Sequence, residues 1–334
     1  MVFSSGIDTL LQQARRHATA GEWSDALRIL RDHGDASRGH PELATMRADA
    51  ELRTGHPREA RQWLTDALVS IERSGDRGAL RKAVNQLGVA EVELGALDAA
   101  ERVFARALEL ARIDGDDLLV AHATNNMGAI ANIRGNRDEA LALYQLAIPA
   151  YQRLGNVAGL AQTLHNVALS FRHLGQLERA TEYEQRAIGY ATECANGPLV
   201  ALAWRGRAEV SLLAGDPRLA EVGAMRAASQ FATVPDRIRE ADALRVVGAA
   251  RLTLGRLAEA EAALERALAL AREHGSRLVE GETLRVRAEC LFARGNADDA
   301  RREIATAIGL FTDLGADEQR NEALEWAATL EGRG

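Results

Sequence analysis

The chain of 334 residues has two cysteines, a single lysine and no long apolar run. Cys194 and Cys290 lie far apart in the sequence, with no cysteine or histidine at metal-ligand spacing. That excludes a disulfide framework and a zinc knuckle, and it suits two free thiols in a reducing compartment. Lys82 is the one lysine, so nearly all of the positive charge is arginine. An alanine-, leucine- and arginine-rich chain of this kind is typical of a GC-rich bacterial genome. No stretch approaches the roughly 20 apolar residues that span a bilayer. The N-terminus, Met-Val-Phe-Ser-Ser-Gly-Ile-Asp, has no basic segment followed by an apolar one. The expectation is a cytoplasmic chain. The formal charge of −7, from 41 basic and 48 acidic residues, is well mixed, so the chain offers neither nucleic acid nor membrane a footprint.

Catalytic signatures are also missing. There is no glycine-rich phosphate loop, no His-Glu-x-x-His, no Cys-x-x-Cys and no Gly-x-Ser-x-Gly. The eight histidines are scattered. His165 and His173 share a helical segment but stand too far apart to ligate one metal easily. The carboxylates stand at helical positions beside arginines and read as solvated charges. The sequence therefore points away from an enzyme and implies no cofactor and no metal.

What is present is a period. Glycine recurs at Gly55, Gly95, Gly135, Gly175, Gly215, Gly255 and Gly295. Alanine keeps the same step at Ala60, Ala100, Ala140, Ala180, Ala220, Ala260 and Ala300, and again in a column from Ala67 through Ala107 and Ala147 to Ala307. Three columns in phase over seven units predict a helical repeat protein. In the unit from 81 to 115, Val84, Leu87, Gly88, Glu91 and Leu94 mark one helical face, which stops at Gly95. Ala100, Phe104, Ala107 and Leu110 mark a second helix, which fades at Asp114-Gly115. Small residues at 48, 88, 128, 168, 208, 248 and 288 allow the two helices of a unit to approach closely. Leu64, Phe104, Tyr144 and Leu264 fill the space between them. Pro57 and Pro217 stand near the first position of second helices, where proline is tolerated.

The order of small residue, Gly, Ala, aromatic or Leu, then Ala resembles the tetratricopeptide repeat. Its first unit, with Gly21, Ala26 and Leu30, is 34 residues from the second, and the later units resemble the family's 40-residue variant. The family's aromatic near the start of the first helix survives as Trp204, and glycine mostly replaces its exit proline. The resemblance implies an all-α, right-handed superhelical solenoid of about eight repeats, ended by a capping helix around Trp326. The expected organisation is a tail at 1–6, repeats near 7–40, 41–80, 81–120, 121–160, 161–200, 201–240, 241–280 and 281–320, and a capping helix and tail at 321–334. On this reading the array accounts for the whole chain, with no segment left for a catalytic or DNA-binding domain. The sixth repeat is irregular: Ala224 replaces the large residue, Pro198 and Pro235 flank the unit, and Ala195 replaces an exit glycine. Either a compensating contact fills the gap or the array has a weak joint there.

In the resembled family the first helix of each repeat lines a concave groove, and its second, fifth, ninth and twelfth positions face the ligand. Carried over, the fifth position reads Thr45, Asn85, Asn125, His165, Arg205, Arg245 and Arg285, and the twelfth includes Asn132 and Arg172. Two zones follow. Asn85, Asn125, Asn126, Asn132, Gln162 and Asn166, with His165 among them, present amides that donate and accept at once and suit an extended peptide backbone. Arg172, Arg205, Arg245 and Arg285 suit an acidic segment, because guanidinium binds carboxylate or phosphate through two parallel bonds. The competing reading pairs Arg205 with Glu209, Arg285 with Glu289 and Arg245 with Asp242 along their own helices. Arg47, Arg207 and Arg287 stand where the family buries leucine and are expected to run their stems along apolar neighbours. The functional expectation is a non-enzymatic scaffold that holds a protein or extended peptide. The alternatives are a ligand-responsive sensor and self-assembly through the convex face or an end.

Overall fold

A computed structural model describes residues 2–33, 40–234 and 236–331. Among the described residues there are seventeen α-helices and no strand. They pair in chain order: α1 (Val2–Thr19) with α2 (Trp23–Asp32), α3 (Pro41–Arg53) with α4 (Pro57–Ser74), α5 (Arg77–Glu93) with α6 (Leu97–Asp114), and α7 (Asp117–Ile133) with α8 (Arg137–Arg153). There follow α9 (Val157–His173) with α10 (Leu177–Glu193), α11 (Gly197–Leu213) with α12 (Pro217–Phe231), α13 (Arg237–Thr253) with α14 (Leu257–Glu273), and α15 (Arg277–Ala293) with α16 (Ala297–Leu314). A last helix, α17 (Asp317–Glu331), stands alone. The eight pairs and the single terminal helix are the solenoid that the period predicts. From the third pair onward the first helices begin about four residues before the boundaries read from the columns, and α1 takes in the expected tail from Val2 on.

The chain forms two compact units, Met1–Asn156 with four helix pairs and Val157–Gly334 with four pairs and α17. Within each unit a helix packs on its chain neighbours, and first helices also pack on the first helix of the next pair. Contacts of this kind are local to neighbouring repeats, the property that distinguishes a solenoid from a single-core domain.

The columns explain the packing. Ala60, Ala100 and Ala140 in one unit, and Ala180, Ala220, Ala260 and Ala300 in the other, are fully buried. So is the second alanine column, apart from traces of exposure. Where the first helix carries glycine, the second brings its largest side chain against it. A Cβ added at Gly88 would stand 2.5 Å from the Phe104 ring, and one at Gly248 would stand 2.5 Å from Leu264. Aspartate and asparagine start several first helices by accepting from the backbone three residues on, as Asp76 does from Ala79 N at 2.9 Å and Asp116 from Leu119 N at 3.0 Å.

The sixth repeat shows a compensating contact. Ala224 packs with Ala208, Val246, Val247 and Ala263. Trp204 of α11, half-buried, packs in the neighbouring cluster with Ala201, Ala227, Ala228, Phe231 and Ala243. Pro235, read as one flank of this repeat, lies outside the described residues, as do residues 332–334 of the expected capping segment. At the other end α17 sets Ala323 and Leu330 into the core formed with Ala288, Ile304 and Phe311. Its Trp326 meets Phe292 edge-on at 6.3 Å. No described helix is long and apolar enough to cross a membrane.

Thirteen glycines hold positive φ in the turns, and Ala195 is the one non-glycine to do so among the described residues, at φ 51°. A Cβ in this region costs about 1–2 kcal/mol, partly offset by the lower entropy of unfolded alanine. Ala195→Gly is expected to stabilise the protein by about 0.5–1 kcal/mol in urea denaturation. A lower unfolding midpoint would show that the turn is not strained.

Candidate functional site

The face that the resemblance assigns to ligand is built from half-buried positions of the first helices. In the unit Met1–Asn156, α5 places Asn85 there and α7 places His122 and Asn126. Asn126 Nδ2 donates to Asn85 Oδ1 across the two helices at 3.4 Å. Asn125 is turned inward and buried, donating to Asn126 Oδ1 at 3.4 Å. Asn132 is buried too, its Oδ1 accepting from Arg137 Nη1 at 3.0 Å. Gln86 belongs to the packing, since its Nε2 donates to the Thr45 carbonyl at 3.0 Å. Burial lowers the His122 pKa against the opposing pull of Asp116, and the ring tilts against Tyr151 at 5.6 Å. His122, Asn126 and Asn85 thus form a patch that is uncharged at neutral pH and able both to donate and to accept.

In the unit Val157–Gly334, α9 places Gln162 and Asn166 on the same kind of face, with Gln162 Nε2 donating to Asn166 Oδ1 at 3.3 Å. His165 is not on that face. It is buried, with Nδ1 lying 2.9 Å from Glu184 Oε1 and 3.1 Å from Oε2. Glu184 is 1% exposed and occupies the column of Leu64, Phe104, Tyr144 and Leu264. Gly206 makes room for this pair: a Cβ there would stand 2.1 Å from Glu184 Oε1 and 2.9 Å from His165 Cε1. An acid in a column of large apolar residues is the sequence signal for this buried pair.

The arginines of this unit are tied into a ladder. Arg172 of α9 pairs with Glu209 of α11. Arg205 lies 2.9 Å from the same Glu209 and 3.3 Å from Asp242 of α13. Arg245 reaches Glu209 at 2.8 Å, Asp242 at 2.6 Å and Glu282 of α15 at 3.4 Å. Three guanidiniums therefore face three carboxylates. On α15, Arg285 is held by Glu289 at 2.7 Å. An acidic guest would have to displace the chain's own acids. The expected column of anion-binding arginines is corrected to a set of internally neutralised pairs, extending the along-helix pairing with partners on the next helix.

The electrostatics follow from burial and pairing together. Burial alone would raise the Glu209 pKa, but Arg172, Arg205 and Arg245 outweigh it and hold the carboxyl far below the usual range. Burial would lower the pKa of Arg205 and of Arg245, and the surrounding carboxylates reverse that. Glu282 and Glu289 are raised, first by burial, with Arg245 and Arg285 respectively opposing only in part. The three arginines in leucine positions find partners as well. Arg47 lies 3.7 Å over the Trp63 ring, Arg207 Nη1 donates to Gln185 at 2.7 Å and Arg287 pairs with Glu303 at 3.1 Å.

Models of the tetratricopeptide repeat match residues 119–193 and 246–274. Among solved structures, a Rap protein complexed with competence and sporulation factor is similar at TM-score 0.65 and 15% identity, over 99% of this chain and 98% of that one. A signal-transduction ATPase with a tetratricopeptide repeat sensor from Pyrococcus horikoshii matches at TM-score 0.63 and 16% identity, over 95% and 48%. The Cut9–Hcn1 assembly of the anaphase-promoting complex matches at TM-score 0.66 and 16% identity, over 95% and 55%. The chain thus spans about half the length of the last two. No curated protein matches by sequence.

Breaking a buried ion pair by removing one partner typically costs about 3–5 kcal/mol. Glu209→Gln is expected to lose about 3 kcal/mol at pH 7. The folded pKa of Glu209 lies below its unfolded value near 4.5, so its contribution is complete above that pH and is lost as pH falls below it. Glu282 and Glu289 have the opposite sign: they favour the folded state below their unfolded values and oppose it as pH rises through the folded ones. Urea unfolding at pH 7 and pH 3 checks the Glu209 contribution, with the gap between wild type and Glu209→Gln narrowing at pH 3. Equal stability at pH 7 would remove the ladder as a stabilising element.

Proposed function

We propose that this tetratricopeptide-repeat protein is a non-enzymatic scaffold that holds an extended peptide or protein segment on the amide-bearing face of its first helices. One observation carries the reading. Uncharged groups that both donate and accept stand half-buried on the first helices: His122 and Asn126 are matched one period on by Gln162 and Asn166, and Asn85 accepts from Asn126. An extended backbone offers one donor and one acceptor per residue, and amides can answer both. Asn125, Asn132 and His165 act beneath this face as supports, and Arg172, Arg205, Arg245 and Arg285 act in the packing of the first helices.

A second reading, a sensor whose ligand changes its shape, is favoured by two of the similar folds, one solved with a signalling factor and one described as a sensor. Small-angle scattering with and without bound peptide separates the two, because a sensor changes its radius of gyration and a passive scaffold keeps it.

The test uses fluorescein-labelled peptide pools of neutral, acidic and basic composition, read by anisotropy. Each lost hydrogen bond is worth about 1 kcal/mol, so Asn85→Ala with Asn126→Ala should weaken a bound pool roughly 30-fold. The loss should be nearly independent of salt, because ions screen neutral contacts little. Absence of binding by every pool, or binding that ignores both this pair and Gln162→Ala with Asn166→Ala, would reject the face.

A further inference from the structure

We infer that the outer face of α12 is a docking site for an amphipathic helix of another protein, one that presents an apolar stripe flanked by aspartate or glutamate. This site is separate from the amide face and does not rest on it.

The observation is a reversal within one repeat. Elsewhere in the 40-residue array the second helix points a large or polar core residue inward, and its exposed large apolar residues are single ones, Val69 on α4, Ile113 on α6, Leu146 on α8 and Leu314 on α16. In α12 the inward position is Ala224, beside the buried Gly223, while Leu219, Val222 and Met225 point outward at 39%, 63% and 48% exposure. These three residues stand at successive turns of one face. The column of Val222 reads Gln62, Arg102, Ala142, Glu182, Ala262 and Arg302 in the other repeats. The columns of Leu219 and Met225 likewise hold no apolar residue larger than alanine. Ala224 packs with Ala208, Val246, Val247 and Ala263, and α12 sends Phe231 inward at its end, so Leu219, Val222 and Met225 take no part in the core. Single exposed apolar residues are ordinary; three on one helical face, in a column that is otherwise polar or small, are a patch.

Charge decides what covers it. Arg218 and Arg226 are exposed on the same face, and Arg226 lies 4.7 Å from the Trp204 ring centre. At the edge, Glu221 is shared by Arg251 at 2.8 Å and by Arg256, and Glu259 lies 3.9 Å and 3.5 Å from the same two arginines. Four arginines therefore meet two carboxylates, and the face keeps a positive surplus. A second copy of this chain would set Arg218 and Arg226 against themselves, which like-charge repulsion disfavours. An anionic bilayer would also meet the exposed Glu178 and Glu182 of α10 and Glu259 and Glu265 of α14 on either side. A single narrow helix fits between those acids. It would lay leucine-like residues at steps of three and four on Leu219, Val222 and Met225, and its carboxylates on Arg218 and Arg226.

The probes are two labelled synthetic helices of about four turns, identical in their leucine stripe, one flanked by glutamate and one by lysine. They are titrated into the full chain and read by anisotropy. The glutamate peptide is expected to bind at least tenfold more tightly than the lysine peptide. Val222→Asp with Met225→Asp should remove that binding while leaving the circular-dichroism melting curve unchanged, because both side chains are largely exposed. Arg218→Glu with Arg226→Glu should reverse the preference. Equal binding of the two peptides, or binding unaffected by the Val222 and Met225 substitutions, overturns the proposal. So does binding to vesicles of phosphatidylcholine and phosphatidylserine that exceeds peptide binding, or a concentration-dependent dimer abolished by Val222→Asp. Extended peptides held by Asn85 and Asn126 should bind the Val222 and Met225 variant as wild type does, so failure of one site is distinguishable from failure of the other.

Discussion

Close approach of neighbouring helices is the constraint on which the rest of this structure depends. The buried alanine columns leave room for a Cβ and little more. Each layer can therefore accept bulk from one side only. Gly88 faces Phe104, and Gly248 faces Leu264. In the sixth repeat Ala224 stands in place of the large residue, and Val246 and Val247 of the next first helix pack with it. Close packing tolerates this replacement because it fixes the volume of a layer, not which helix supplies it.

The fold was legible because its information is periodic. Glycine and alanine at fixed steps specify a turn and two contacts in every unit, and the repetition makes each position testable against six others. The orientation of the first helices was legible only in part. From the second position of the face, residues three and four further on both lie nearby. In the arginine-bearing repeats the choice is made by polarity: Arg205, Arg245 and Arg285 stay half-buried while Gly206, Val246 and Val286 turn inside. In the middle repeats both candidates are polar, Asn125 with Asn126 and His165 with Asn166, and the sequence gives no reason to prefer one. The structure buries Asn125 and His165. His165 is drawn inward by Glu184, a partner carried by the adjoining second helix and opposite it only after folding.

The arginine ladder carries a sequence signal of its own. Arg172 meets Glu209, Arg205 meets Asp242 and Arg245 meets Glu282. In each case the acid lies 37 residues on, one period less three. A full period reaches the equivalent position on the next first helix, and three residues back is one turn earlier on the same face. Glu322 stands at that step from Arg285, and its charge is felt at Glu289. A column of arginines thus advertises an anion site only when no acid stands one period less a turn away. The amides have no such counter-charge: the same step leads from Asn85 to His122 and from Asn166 to Ala203. Internal pairing thus neutralises the arginines of the second unit within its own first helices.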